Sequence, residues 1–362
     1  MKHSPLHQQH VDRSAKMADF GGWLMPIDYP DTGTIVEHTA VRERVGIFDV
    51  SHLGKASVKG PGALEFLNSA LTNDLNRITD GQAQYTMICN SQGGVIDDLI
   101  VYRNSPEDFF LVPNAANTTD VVAALRSLAD PTIEIVNLHE DFGVIAVQGP
   151  NSGEVLRSLG VDTNLDYMSF SHVTIADVSV ILCRTGYTGE MGFEILPSWR
   201  GALPVWNAIV EAMKPFNGVV CGLGARDTLR TEMGYPLHGH ELSLDITPVE
   251  ASANWAVGWN KEHFTGSDVL RLQRSEGAPR KLQGLRCVGR GIPRAHMIVK
   301  TKDGVNVGEV TSGTFSPTLK EGIALALITP NFVVGDRLVI DVRGKDCEVE
   351  VVKLPFVPSH VR

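Results

Sequence analysis

Four polar clusters hold residue types and spacings that can do chemistry. The first is Gly93-Gly-Val-Ile-Asp-Asp98-Leu-Ile-Val101, which sets two neighbouring carboxylates in an apolar, strand-like run. Side chains alternate faces along a strand, so Ile96, Asp98 and Ile100 are expected on one face, and Asp97 with Val95, Leu99 and Val101 on the other. A buried charge is costly without a partner. Such a carboxylate is either an edge residue beside a turn or a group held for work on a ligand, and Gly93-Gly94 allows either a tight bend or a close ligand approach. The second cluster is Thr185-Gly-Tyr-Thr-Gly-Glu190-Met-Gly-Phe-Glu194-Ile, with three glycines in seven residues. Its backbone can approach a planar ligand. Glu194 then enters the apolar run Phe193–Leu196, where an amidine-like N–H edge on a ligand would offset the cost of burying it.

The third cluster, Cys221-Gly-Leu-Gly-Ala-Arg226-Asp-Thr-Leu-Arg230-Thr-Glu, reads as a loop entering a helix. Arg226 and Arg230 fall on one helical face and suit a carboxylate or carbonyl oxygen. The competing reading is an intrahelical network with Asp227 and Glu232, worth roughly a few tenths of a kcal/mol per pair. The fourth is Ile292-Pro-Arg294-Ala-His296. Other chemistries lack their residues. There is no phosphate-binding G-x-x-x-x-G-K-[ST], no H-E-x-x-H and no G-x-S-x-G. Gly222-Leu-Gly-Ala-Arg-Asp227 has aspartate where a dinucleotide fingerprint needs its third glycine. His238-Gly-His240-Glu241 is spaced too closely for the usual ligand sets, so no metal is expected.

The elements that must position these clusters read as mixed α+β. Strands are expected over Gly94–Arg103 and Asp108–Val112, and helices over Asn117–Leu128 and Arg200–Met213. The second helix presents Leu203, Val205, Trp206, Ile209, Val210 and Met213 as its apolar set. Val58-Lys-Gly-Pro-Gly-Ala-Leu-Glu65-Phe-Leu67 and Val147-Gln-Gly-Pro-Asn-Ser-Gly-Glu154-Val-Leu156 repeat one pattern, V-x-G-P-x-x-x-E-x-L. Each follows a strand (Lys55–Val58; Gly143–Gln148) and opens a helix (Ala63–Leu71; Ser152–Leu159). With no lysine or further glycines to cradle phosphate, they read as one strand-to-helix corner used twice. From Lys281 the texture becomes short strands separated by turn signals such as Lys302-Asp-Gly304, Val334-Gly-Asp336 and Arg343-Gly-Lys-Asp346. That tail is expected to form an all-β barrel or sandwich, with a boundary near residue 279.

The 362 residues carry 32 Lys+Arg against 42 Asp+Glu, a net charge of −10. No basic excess is present to neutralise phosphates, so nucleic acid is not an expected partner. Any anion must be held by local groups. Five scattered cysteines without a C-x-x-C pair fit a reducing compartment. No apolar run reaches a membrane span of about 18 residues. A cytoplasmic protein without a membrane partner is expected.

Taken in order along the chain, the clusters resemble the aminomethyltransferase of the glycine cleavage system, the T-protein family. Phe20-Gly-Gly-Trp23-Leu-Met-Pro26, Gly46-Ile-Phe-Asp-Val-Ser-His52 and Thr311-Ser-Gly-Thr-Phe-Ser-Pro317 join the first three clusters in that resemblance. It implies three domains in a cloverleaf around a central folate channel. Two α+β domains would be interleaved, one of residues 1–50 and 140–237 and the other of 51–139 and 238–278, with residues 279–362 as the C-terminal β domain. It also implies transfer of a one-carbon unit from an aminomethyl group on the lipoyl arm of the H-protein to tetrahydrofolate. The products would be 5,10-methylenetetrahydrofolate, ammonia and the dihydrolipoyl carrier.

Motif by motif, the resemblance makes Asp98 the catalytic aspartate, a fixed carboxylate near the folate nitrogens or a group that positions the folate. It makes Glu194 the binder of the pterin edge and Arg226 the substrate-binding arginine. Tyr187, Asn114 and Val112 line the implied pocket, with Leu53 on its wall. Tyr85 and Trp255 are either aromatic walls for the planar pterin or core residues. Arg294 either faces the lipoyl arm or is structural. Two positions depart from the family pattern: Leu53 stands where many relatives have methionine, and Pro355–Arg362 lacks the tyrosine by which some relatives reach the folate. The rival readings are a related tetrahydrofolate-dependent demethylase and a non-catalytic folate-binding protein assisting iron–sulfur proteins. The second would need a cysteine in the loop that reads Arg184–Glu190 here, and Cys183 lies just upstream.

Overall fold

The computed structural model describes residues 1–342 and 344–362; Arg343, in the expected turn Arg343–Asp346, lies outside the described residues. The fold is α+β with four sheets among the described residues. A small N-terminal sheet joins Lys2–His3, Trp23–Asp28 and Lys16–Phe20. A six-stranded sheet runs in the order Phe170–Ile175, Val178–Cys183, Gly192–Pro197, Ile145–Gln148, Gly46–Asp49, Val219–Cys221. It is antiparallel except for its last pair. A five-stranded antiparallel sheet runs Gln82–Cys89, Val95–Ser105, Asp108–Val112, Ala56–Lys59, Glu134–Asn137. The β-rich tail closes into a six-stranded barrel, so of barrel and sandwich it is the barrel that forms.

The repeated V-x-G-P corner has one geometry in two sheets. Gly60 and Gly149 sit at φ of 126° and 123°, and each is followed by proline and then a helix, Ala63–Ala70 or Ser152–Ser158. Both preceding strands lie inside their sheets. A Cβ on Gly60 would fall 2.3 Å from the Thr132 carbonyl oxygen, and one on Gly149 would fall 2.6 Å from that of Arg44. Glycine is therefore required twice over, by conformation and by space.

The helix expected over Arg200–Met213 is a 3-10 turn at Trp199–Gly201 leading into Ala202–Ala212. Val205, Trp206 and Ile209 are buried against the six-stranded sheet, whereas Leu203 points outward and is 40% exposed. The helix over Thr118–Leu128 packs Val121, Val122 and Leu125 onto the five-stranded sheet.

The strand Val95–Ser105 departs from simple alternation. Its ladder with Gln82–Cys89 pairs Ile88 with Asp97 and Cys89 with Val95, leaving Ile96 as an extra, bulged residue. The Val95 N–H faces out of that ladder, donating to the carbonyls of Ser243 (2.7 Å) and Ile246 (3.2 Å). The bulge corrects the expected faces: Ile96 packs with Leu99 and Val101, while Val95 packs with Met87 near Tyr85. One inserted residue exchanges the two faces upstream of it. Asp98 keeps its side with Ile100, and Asp97 its side with Leu99.

Gly149→Ala should lower the urea unfolding free energy by at least about 2 kcal/mol, through strain and the Arg44 contact. Gly160→Ala, at a positive φ with nothing within 4 Å, should cost less. Equal costs at the two sites would contradict the close-approach argument.

Candidate functional site

The centre of the site is a pair of buried carboxylates satisfied by neutral donors. The Tyr85 hydroxyl donates to Asp98 Oδ2 at 2.9 Å, and Asn114 Nδ2 donates to Asp98 Oδ1 at 2.8 Å. The same amide reaches Asp97 Oδ1 at 2.9 Å. Asp97 also accepts from the Asn114 backbone N–H at 2.8 Å and from Asn117 Nδ2 at 2.7 Å. Among the described residues, no arginine or lysine hydrogen-bonds either acid. Burial pushes the Asp98 carboxyl above the usual carboxylate range and the charge of Asp97 pushes it further; burial likewise raises Asp97. The Tyr85 phenol is raised by burial and by the Asp98 charge, so it remains the donor in this pair.

Trp255 stacks on Tyr85 with ring centroids 5.0 Å apart and an interplanar angle of 29°. It is 62% exposed, which excludes the core-packing reading for Trp255. Val112 pairs with Ile100 in the ladder, and both pack with Leu53 in one apolar cluster. The Gly54 N–H donates to the Pro113 carbonyl at 2.8 Å, which holds the Leu53 loop beside Asn114.

A second group gathers at the start of the helix Leu223–Glu232. The Arg226 guanidinium lies 4.9 Å above the Tyr187 ring centroid, and the Tyr187 hydroxyl donates to the Pro236 carbonyl. Burial lowers the Arg226 pKa, with the Glu194 carboxylate acting against that shift. Its Nη1 is buried without a hydrogen-bond partner among the described residues. Glu194 sits in the strand Gly192–Pro197 and accepts from Thr185 Oγ1 at 2.6 Å. The Asp98 charge bears on Tyr187 as well as Tyr85, which connects the two groups.

Arg230 does not join Arg226 as an anion-binding pair. It is buried and bound to Asp227 (2.7 Å), Glu241 (3.0 Å) and Ser312 Oγ (2.8 Å), tying the helix to the barrel. Nor does Glu232 complete an intrahelical network: it binds Arg42 (2.7 Å) and His38 (3.3 Å) from another helix. Arg294 is exposed and donates to the Gly313 carbonyl at 3.0 Å. His238 and His240 each bond a backbone carbonyl, of Val95 (3.0 Å) and Thr311 (2.9 Å). Cys183 is fully buried, and burial raises its thiol pKa.

Sequence reasoning missed Asn117, whose only signal is its place three residues after Asn114 at the start of a helix. It also missed His52, a buried ring whose Nδ1 has no partner among the described residues and whose pKa burial lowers to about 3. Arg42 was missed altogether.

The model for the GCVT N-terminal domain matches residues 6–261, and that for the glycine cleavage T-protein C-terminal barrel domain matches residues 280–358. The chain is 54% identical over 362 residues to the aminomethyltransferase of Parafrankia sp. (strain EAN1pec), covering 100% of this chain and 99% of the relative. It is 54% identical to that of Mycobacterium tuberculosis (strain H37Rv), at 99% and 98% coverage. The crystal structure of glycine cleavage system aminomethyltransferase T from Bartonella henselae superposes with a TM-score of 0.93 at 33% identity, covering 99% of each chain. Full-length agreement of fold and sequence defines an α+β enzyme with a C-terminal barrel. The chain belongs to the glycine cleavage T-protein family, the aminomethyltransferases.

The raised pKa of Asp98 has a stability consequence with a definite sign. A carboxyl whose folded pKa lies above its unfolded value contributes most below the unfolded value, and that contribution is lost as pH rises toward the folded one. Asp98→Asn should therefore stabilise the ligand-free protein at pH 8 by on the order of 1 kcal/mol, a gain that vanishes below about pH 4. Urea midpoints across that range check it; a loss of stability at pH 8 would contradict a strained carboxylate.

Proposed function

We propose that this protein transfers the one-carbon unit of an aminomethyl group on the lipoyl arm of the H-protein to tetrahydrofolate. Tetrahydrofolate supplies the two nitrogens that take up the carbon, and their hydrogens leave on the lipoyl sulfur and in ammonia, with no net oxidation. The observation that carries this reading is the buried Asp98 carboxylate, held by the neutral donors Tyr85 and Asn114 inside a chain of this family.

The residues present fit a folate. Arg226 has a buried nitrogen awaiting an acceptor. Glu194, with Thr185 on Oε2, is a carboxylate for the N–H edge of a pterin. Tyr187 and the Tyr85–Trp255 stack offer ring faces, and Val112 and Leu53 complete the apolar wall. Asp98 acts at its two oxygens. The Tyr85 and Asn114 donors fix its orientation, and its raised pKa lets it hold a proton or a charge near neutral pH. Arg294, exposed on the barrel, faces the carrier's arm in this reading.

The interleaved division into 1–50 with 140–237, 51–139 with 238–278, and 279–362 is supported by the way each sheet draws its strands. None of the described helices is long and apolar enough to cross a membrane. Five free thiols, all buried, support a cytoplasmic setting.

Ammonia release from aminomethylated H-protein should depend on tetrahydrofolate and fall at least about a hundredfold in Asp98→Asn, the scale of a positioned acid–base or electrostatic group. Near wild-type release from that variant would overturn the role of Asp98. In calorimetry, Glu194→Ala should weaken tetrahydrofolate binding more than it slows turnover at saturation, and unchanged affinity would remove Glu194 from the binding set.

A further inference from the structure

The loop that carries Tyr187 leaves the sheet at Cys183 and re-enters it at Gly192, and Cys183 pairs with Glu194. Between them, the carbonyls of Thr188 and Gly189 are taken by groups distant in sequence. Arg42, on the helix Gly33–Glu43, donates through Nη1 to the Thr188 carbonyl at 2.6 Å and to Glu190 Oε1 at 2.9 Å. Its other edge holds Glu232, through Nη2 at 2.7 Å and Nε at 3.1 Å. Glu232 in turn accepts from Thr318 Oγ1 of the barrel at 3.0 Å. From the opposite side comes the C-terminal segment. The His360 N–H donates to the Gly189 carbonyl at 2.7 Å, and His360 Nδ1 lies 3.0 Å from Glu190 Oε2. Arg184, at the base of the loop, donates to the Val361 carbonyl at 2.8 Å.

Glu190 is thus a buried carboxylate gripped by a cation from one element and an imidazole from another, three residues after Tyr187. Buried charge pairs of this kind specify one arrangement more than they stabilise it. A glycine-rich loop has the most conformational freedom to lose.

We infer that Arg42 and His360 are positioning residues for the ligand site. Through Glu190 they hold the loop Thr185–Glu190 in its ligand-competent conformation before any ligand arrives. Arg42 is suited to this because its planar fork serves Glu190 and Glu232 at once, which a lysine ammonium cannot do with the same geometry. The C-terminal segment acts as a strap across the loop and reaches it through the backbone as well as the ring. The inference deepens the proposed folate reading and rests on it for the identity of the ligand alone.

The test uses the full chain and the variants His360→Ala, Glu190→Gln and Arg42→Lys. It measures hydrogen exchange of the 186–190 amides without ligand, the urea midpoint, and kcat and KM for tetrahydrofolate with aminomethylated H-protein. The His360 side chain is 64% exposed, so its truncation leaves folding intact. His360→Ala should speed loop exchange and raise KM roughly two- to fivefold, the scale of a partly exposed pair, with kcat and the urea midpoint unchanged. Glu190→Gln and Arg42→Lys should each raise KM about tenfold, since both disturb the buried pair. Loop exchange and KM at wild-type values in His360→Ala and Arg42→Lys would overturn the inference. So would a lowered urea midpoint with an unaltered KM, which marks a purely structural role. Should wild type fail to bind tetrahydrofolate, the folate reading falls, while loop exchange still decides the clamp.

Discussion

The structure turns on keeping two adjacent carboxylates inside a strand with, among the described residues, no arginine or lysine hydrogen-bonded to either. Asp97 and Asp98 meet that constraint through amide and phenol donors: one Asn114 side chain bridges both acids, Asn117 adds a second amide, and Tyr85 adds a hydroxyl. A lysine or arginine would satisfy the charges more strongly, but it would also pull both pKa values down. Neutral donors orient an anion and leave its electrostatic influence to be felt elsewhere.

That solution reaches far along the chain. Asn114 follows the strand Asp108–Val112, and Asn117 opens the helix Thr118–Leu128. Their position is fixed by the close pass of the Leu53–Gly54 turn, where a Cβ on Gly54 would fall 2.0 Å from Thr118 Oγ1. On the other side, the loop around Ser243 takes the Val95 N–H and produces the Ile96 bulge. The bulge exchanges the faces of the residues before Asp97 and leaves both acids in register with the sheet beyond.

Much of this was legible in the residues. The β texture after Lys281, the paired G-P corners and the apolar face of Ala202–Ala212 follow from local pattern, because turn chemistry and helical period act within a few residues. The faces of the Asp98 strand upstream of Asp97 were read wrongly for the opposite reason. The bulge is imposed by a carbonyl about 150 residues away, and no local period carries that. Of the competing intrahelical network only the Arg230–Asp227 pair forms; the other partners of Arg230 and Glu232 come from the barrel, the 235–241 stretch and the helix bearing Arg42. Long-range ion pairs leave no spacing signature.

Three arginines at the base of the site, Arg42, Arg226 and Arg230, differ in how far the protein itself satisfies them. Arg42 is matched by Glu190 and Glu232, and Arg230 by Asp227 and Glu241. Both are internally satisfied and fix the arrangement of helix, loop and barrel. Arg226, one helical turn before Arg230, rests on a tyrosine ring and keeps a buried nitrogen unpaired among the described residues. A buried donor left unmatched costs about 1–3 kcal/mol or more. Arg42 and Arg230 beside it are matched within the protein, and in the proposed reading a ligand's acceptor completes the set at Arg226. The stacked ring keeps the guanidinium in place meanwhile, because a cation over an aromatic face is held without consuming its N–H donors.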